Sequence, residues 1–270
     1  KAADLEEPEA LYKIANFYST GRHQIPADNK QYIKYLKKAF DKKYPPAVND
    51  YAYLLLVGFE GVKKDEVKAV ELLQKMSNPP HNISEAMYRL ANYYEKNGKT
   101  DEAIDYYNRA RNEGYEAAHS DYALMLLNGT VVAKNVKEGM KILKQAGERG
   151  FPTANFNLGH IYEYGIFGVE KNPELSLKYY ELAAKQYYPK ALVKVGKAML
   201  RGRHAGVPAE KNEILAARNF HIAAQKGDSE GMHSWASCLQ YGHGGIPINI
   251  VDAVEFYEKA VEKEFVPSMI

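Results

Sequence analysis

The chain carries the stretch ANFNLGHIYEYG at residues 154–165, and variants of this stretch recur along its whole length. A small residue opens the stretch, a large-then-small pair follows four residues later, and a glycine closes it. The copies open at Ala10, Ala47, Ala86, Ala118, Ala154, Ala191 and Gly231, about every 37 residues. Self-similarity at a period of about 20–50 residues indicates stacked repeats rather than one enclosed core.

Each copy predicts two helices. In the first, helix A, apolar anchors four residues apart form one helical stripe, and a glycine such as Gly165 ends the helix. The second, helix B, begins at a side chain that can accept hydrogen bonds from the free N–H groups of the first turn. These capping residues are Asp28, Asp65, Thr100, Asn135, Asn172, Asn212 and Asn249. The sequence therefore predicts an all-α fold of about seven helix pairs.

The length of a copy varies mainly in the loop between helix A and helix B. The spacing from helix B to the next helix A is nearly constant, because a shift there would displace every later repeat. We expect one solenoid domain over 1–270, with repeats at about 10–46, 47–85, 86–117, 118–153, 154–190, 191–230 and 231–267. Residues 1–10 align with 182–191, so we expect partial repeats at both ends of a longer array.

Composition and motifs argue against several classes of function. A net charge of +2 predicts no nucleic-acid partner, and no apolar run is long enough for insertion into a membrane. Cys238 is the only cysteine, so internal disulfides are excluded, and we expect a small buried thiol. The sequence His243-Gly244-Gly245 resembles an oxyanion hole but falls in an A–B loop without a nucleophile elbow. We therefore predict no enzyme, no catalytic residue, no cofactor and no metal.

The repeat resembles the Sel-1-like repeat, a relative of the tetratricopeptide repeat. The fifth copy carries the resemblance best, with Ala154, Leu158-Gly159, Tyr162, Gly165, Gly168-Val169, Asn172 and Ala183-Ala184. The third copy departs from the pattern, since it lacks the Gly-Val loop and looks more like a tetratricopeptide repeat over 94–103. The resemblance implies a right-handed superhelical α/α solenoid.

The resemblance also implies a non-catalytic adaptor that binds protein or peptide partners and assembles or activates a complex. The alternative is a regulatory repeat region of a larger enzyme or activator, such as a chitin synthase activator or an adaptor of endoplasmic-reticulum-associated degradation. A lone cysteine and the absence of a signal sequence favour the cytoplasm, with the endoplasmic-reticulum lumen as the alternative.

In tetratricopeptide arrays helix A lines the concave face, and this likeness implies a groove here at positions 2, 6, 9 and 10 after each opening residue. The candidate partner-binding residues are Tyr12, Asn16, Tyr53, Tyr88, Asn92, Phe156, His160, Tyr164, Lys197, Arg201, His233 and Tyr241. Their rings would supply contact area, and the asparagines could bind an extended peptide backbone. The competing interpretation is that the rings pack between helices and that Lys197 and Arg201 only face solvent.

One loop stands out by its length. The A–B loop over 203–213 is the longest of the chain, and it contains His204. We expect His204 to lie in solvent or in a protruding contact.

Overall fold

The computed structural model describes residues 7–21, 26–129 and 131–263. The described residues form fourteen α-helices: α1 (Pro8–Thr20), α2 (Asn29–Asp41), α3 (Pro45–Val57), α4 (Glu66–Ser77), α5 (Ser84–Lys96), α6 (Thr100–Asn112), α7 (Glu116–Asn128), α8 (Val136–Glu148), α9 (Pro152–Tyr164), α10 (Pro173–Lys185), α11 (Pro189–Arg201), α12 (Glu213–Gln225), α13 (Ser229–Tyr241) and α14 (Ile250–Glu262). The expected helix pairs are confirmed, with odd-numbered helices as helix A and even-numbered helices as helix B. The partial repeats expected at the termini involve 1–6 and 264–270, which lie outside the described residues.

The chain divides into two compact units, Lys1–Ala118 and His119–Ile270. Each unit has its own buried apolar core, to which both helices of its repeats contribute. Fully buried alanines stand near the end of helix B and the start of the next helix A in both units, among them Ala39 and Ala47 in the first and Ala146 and Ala154 in the second. Small side chains at these positions let neighbouring helices approach closely, which explains the constant spacing from helix B to the next helix A.

Six of the seven predicted helix-B caps are confirmed. In each, the side chain accepts a hydrogen bond from the backbone N–H three residues later; the six are Asp28, Asp65, Asn135, Asn172, Asn212 and Asn249. The prediction for Thr100 is wrong, because α6 already begins at Thr100 and Lys99 is its N-cap residue. The Lys99 carbonyl accepts from the Ala103 N–H at 3.0 Å, so the short loop of the third repeat starts the helix one residue earlier.

The longest A–B loop contains a two-stranded antiparallel hairpin, β1 (Arg203–His204) with β2 (Val207–Pro208). The expectation that His204 lies in solvent or in a protruding contact is wrong, since its side chain is only 7% exposed. Its Nε2 lies 3.0 Å from the Ser176 hydroxyl, and its ring meets Tyr180 edge-on. Burial, followed by the nearby charge of Lys194, lowers the pKa of His204. A buried imidazole therefore fixes the base of this hairpin.

Cys238 lies in the core of the second unit, as predicted, and burial raises the pKa of its thiol to about 11. None of the described helices is long and apolar enough to cross a bilayer. Within the same described ranges, no group of three histidine, cysteine or acidic side chains is placed to hold a metal ion.

Candidate partner-binding surface

A cleft of about 870 Å³ opens on the helix-A side of the first unit, between α3 and α5. Its aromatic walls are Tyr53, Tyr88, Tyr93 and Tyr115, and we call it the tyrosine cleft. A second cavity, of about 570 Å³, lies between α1 and α3 and includes Tyr12 and Asn16. The two cavities share the side chains of Tyr53, Val57, Glu85 and Arg89, so they form one continuous surface.

The centre of this surface is a hydrogen-bonded group that we call the arginine cluster: Tyr12, Asp50, Glu85 and Arg89. The Arg89 guanidinium donates to Asp50 Oδ1 at 3.0 Å, to Glu85 Oε1 at 2.7 Å and to the Asn49 carbonyl at 2.6 Å. Because guanidinium donors are fixed in a planar fork, one Arg89 side chain can join α5 to α3 at two points, Asp50 and the Asn49 carbonyl, while it also pairs with Glu85 of its own helix. The cluster carries two carboxylates and one cation, and it fixes both α3 and α5 at the floor of the surface.

Within the arginine cluster, Tyr12 is the residue that belongs to α1. Its hydroxyl donates to Asp50 Oδ2 at 2.6 Å, and burial together with this hydrogen bond raises the pKa of Tyr12 far above its ordinary value. The neighbouring Tyr32 also has its pKa raised, to about 12, first by burial and then by the Asp50 charge. Both phenols therefore remain donors over the physiological range. The candidate Asn16, one turn beyond Tyr12, is half-buried beside them.

The two candidate tyrosines of the cleft have different surroundings. Tyr53 keeps 42% of its surface exposed while the Arg89 guanidinium stacks over its ring, 4.6 Å from the centroid. Tyr88 is half-buried, since its ring meets Tyr107 edge-on and Tyr115 at a centroid distance of 4.9 Å. Neither ring is fully buried: one edge packs on a neighbouring helix and the other faces the cleft. The groove interpretation stays a prediction.

Asn92 is more constrained than the sequence suggested. Its Oδ1 accepts from the buried Tyr107 hydroxyl at 2.7 Å, and its Nδ2 donates to the Tyr88 carbonyl at 3.1 Å. The same Tyr107 hydroxyl lies 2.7 Å from Glu95 Oε2 and shares its single proton between the two acceptors, so helix A and helix B of the third repeat are joined through one phenol. The amide therefore has one N–H left for a ligand.

The second unit also has a hydrogen-bonded cluster around a cation, which here is a lysine. Glu163 accepts from the Tyr180 hydroxyl at 2.6 Å and from Lys194 Nζ at 2.9 Å, and these three residues are the lysine cluster. Burial opposes ionisation of Glu163, but the hydrogen bonds from Tyr180 and Lys194 outweigh it and lower the pKa of the carboxyl. The Lys194 ammonium lies over the Tyr164 ring, 5.5 Å from its centroid.

Three candidates of the second unit surround the lysine cluster. Phe156 is half-buried and packs against Tyr180 with a centroid distance of 5.4 Å. His160 and Tyr164 are exposed, with ring centroids 4.7 Å apart. Burial and the Lys194 charge lower the pKa of His160, so its ring is neutral near pH 7.

The remaining four candidates belong to α11 and α13. Lys197 forms an ion pair with Glu230, and Arg201 is exposed at the end of α11. His233 is half-buried and meets Tyr257 edge-on, while Tyr241 is 62% exposed. None of the twelve candidates is buried.

Four further groove positions expected from the tetratricopeptide likeness are wrong, because their side chains are buried: Asn49, Ser120, Leu127 and Val193. Specific contacts explain the burial of two of these four residues. Asn49 is held between α3 and α5 by a bond to Glu85, and Ser120 lies 3.2 Å from the Thr153 hydroxyl.

The sequence interpretation also missed position 3 after the opening residue, where Asp50, Arg89 and Lys194 stand. The available signal was an acidic residue at this position in the second repeat and a basic residue at the same position in the third.

Seven consecutive segments match the Sel1 repeat family: residues 8–44, 45–78, 84–115, 117–151, 152–188, 189–228 and 229–265. The chain belongs to the Sel1 repeat family. The solved Sel1 repeat protein of Oxalobacter formigenes superposes over 97% of the chain and 74% of its own, with a TM-score of 0.62 and 23% identity. Yeast Tom70 superposes with a TM-score of 0.58 over 97% of this chain and 52% of its own, at 16% identity. These likenesses establish the all-α repeat fold.

Curated relatives include regulators of chitin synthesis. Chitin synthase regulatory factor 3 of Schizosaccharomyces pombe is 26% identical over 96% of this chain and 28% of its own length. Chitin synthase regulator SKT5 of Saccharomyces cerevisiae is 28% identical over 81% of this chain and 33% of its own length. The chain thus spans about a third of the length of these relatives.

Proposed function

We propose that this chain is the partner-binding repeat array of a chitin synthase regulator, and that it binds an extended peptide segment of its partner in the tyrosine cleft. Two regulators of this name share the repeat array over most of this chain, which supports the pathway. The observation that supports the site is the Tyr53 ring, which is 42% exposed in the cleft and stacks against the Arg89 guanidinium. In this proposal the array performs no chemical step, and it acts in the cytoplasm.

The chemistry of the cleft suits a peptide. Half-exposed aromatic rings provide large contact areas at a small loss of side-chain entropy, and such residues dominate binding energy at protein interfaces. The rings of the cleft are already fixed, Tyr53 by Arg89 and Tyr88 by Tyr107 and Tyr115. A preorganised surface loses less entropy on binding. Exposed Lys96 and half-buried Asn92 supply polar contacts at the same wall.

The test is affinity purification of the full-length protein, with chitin synthase as the measured partner. We expect Tyr53→Ala to reduce its recovery about tenfold, the effect of losing a central aromatic contact. Tyr88→Ala should reduce recovery too, but it also removes packing against Tyr107, so Tyr53 is the cleaner probe.

Val67→Ala is the matched control, because Val67 is 73% exposed on helix B of the same unit and lies outside the cleft. Unchanged recovery with Tyr53→Ala would contradict the cleft as the binding site. Absence of chitin synthase from the wild-type purification would contradict the pathway.

A further inference from the structure

The second unit contains a small basic cavity that the proposed peptide cleft does not use. It lies between α11 and α13 and has a volume of about 200 Å³. Its polar lining includes Lys197 and Arg201 of α11 with His233, Ser237 and His243, and apolar side chains such as Leu200 and Phe220 complete it. Its lining, all within the described residues, includes no carboxylate. We call it the basic pocket.

Arg201 is the main uncompensated charge of the basic pocket. Lys197 is paired with Glu230 of α13, a carboxylate beside the pocket rather than in its lining. Arg201 is exposed and, among the residues that the structure describes, forms no ion pair. Burial, followed by the charge of Lys197, lowers the pKa of His233, while the Glu230 carboxylate acts in the opposite direction. An anion entering the pocket would meet donors whose charge is only partly neutralised.

Local backbone geometry holds His243 at the pocket. Gly242 ends α13 in the left-handed conformation at φ 72°, and residues His243–Gly245 form one turn of 3-10 helix. Gly244 lies so close to α12 that a Cβ atom there would stand 2.5 Å from the Glu213 carbonyl oxygen. Only glycine fits this approach, and the approach fixes the preceding His243. The sequence His243-Gly244-Gly245 is therefore a packed turn, as its position in an A–B loop suggested.

We infer that the basic pocket binds the phosphate group of a phosphorylated serine or threonine side chain on a partner protein. The Arg201 guanidinium, the Lys197 ammonium, the His243 imidazole and a serine hydroxyl offer several donors on one side of the pocket and suit a tetrahedral dianion. One water molecule occupies about 30 Å³, so a cavity of about 200 Å³ has room for a phosphate and a few carbons, and not for an extended chain. This site is in the second unit, and it does not depend on the tyrosine cleft.

The test is fluorescence anisotropy at low salt with the dye-labelled peptide Gly-Ala-phosphoserine-Ala-Gly. We expect the chain to bind this peptide, and we expect Arg201→Gln to weaken binding about tenfold, the effect of losing a charged hydrogen-bonding partner. Lys197→Gln should weaken it less, because Glu230 already neutralises part of that charge. Arg218→Gln is the matched control, since Arg218 is exposed on helix α12 and lies outside the pocket.

Three comparisons decide the result. Equal affinity for the peptide with unmodified serine, or with glutamate in its place, would overturn the inference. So would equal losses for Arg201→Gln and Arg218→Gln, because a general charge effect would then explain binding. Binding to phosphatidylserine vesicles without binding to the phosphopeptide would assign the basic surface to a membrane and also overturn it.

Discussion

The cations of the arginine cluster and the lysine cluster occupy the same position in the repeat but form different contacts. Both place a cation three residues after the opening residue of helix A, as Arg89 in the first unit and Lys194 in the second. Arg89 holds two carboxylates and a carbonyl between α3 and α5, whereas Lys194 shares one carboxylate with a phenol. The repeat thus fixes where a charged group stands, and the side chain decides how many neighbours it joins.

Replacing each cation with methionine should give the largest difference in stability between the two clusters. Arg89→Met leaves Asp50 and Glu85 without their cation, and we expect a loss of about 3 kcal/mol, the lower end for a broken buried pair. We use the lower value of this range because the Arg89 and Asp50 side chains remain 14% and 17% exposed to solvent. Lys194→Met should cost only about 1 kcal/mol, since it leaves one carboxylate rather than two without a cation and Lys194 is 25% exposed.

Urea unfolding followed by circular dichroism measures both losses. Lys178→Met, at an exposed position of α10, is the control for removing a lysine and should be neutral. Equal losses for Arg89→Met and Lys194→Met would show that the number of neighbours does not matter.

A smaller effect is expected from the residue that packs behind the lysine cluster. A Cβ atom at Gly159 would stand 2.7 Å from the fully buried Tyr180 ring. Gly159→Ala gains about 1 kcal/mol of helix propensity, but overpacking costs about 1–3 kcal/mol, so we expect a net loss of about 1 kcal/mol. Ala91 is the equivalent residue of the third repeat, and Ala91→Gly should lose about as much from propensity alone. A gain in the urea midpoint for Gly159→Ala would contradict the packing argument.

The smallest effect is the pH dependence of the lysine cluster. The pKa of Glu163 is lower in the folded chain, where Tyr180 and Lys194 bind its carboxylate. Its contribution to stability is therefore present above its ordinary value of 4.5 and is lost as pH falls through the lowered pKa. Glu163→Gln should flatten the decline of the urea midpoint as pH falls below about 4.5. An unchanged decline would show that this carboxylate carries no pH-dependent stability.

The sequence alone predicted the helix pairs well because their causes are local. Apolar spacing, six capping side chains and helix-ending glycines act within one or two turns, and Thr100 failed only because its loop is short. The binding surface was harder to predict, because it depends on contacts between repeats. Arg89 lies 39 positions from Asp50 and His204 lies 28 from Ser176, and no local pattern shows that these side chains meet.

The tetratricopeptide likeness transferred only in part for the same reason. Position 2 is half-buried where the ring packs on a helix-B tyrosine, as Tyr88 does on Tyr107. It is buried where the residue is the smaller Asn49 or Val193. Side-chain size therefore decides whether one repeat position reaches the surface.

The hairpin over 203–208 is a suitable site for inserting a label into this chain. Its base is fixed by the buried contact between His204 and Ser176, while Ala205 and Gly206 at its tip are exposed. A Cβ atom at Gly206 would meet nothing within 4 Å. Because the loop between helix A and helix B does not set the spacing of the next repeat, an epitope tag or a fluorophore inserted between these two residues should leave the stack intact. The array could then be followed in cells without a fusion at either terminus.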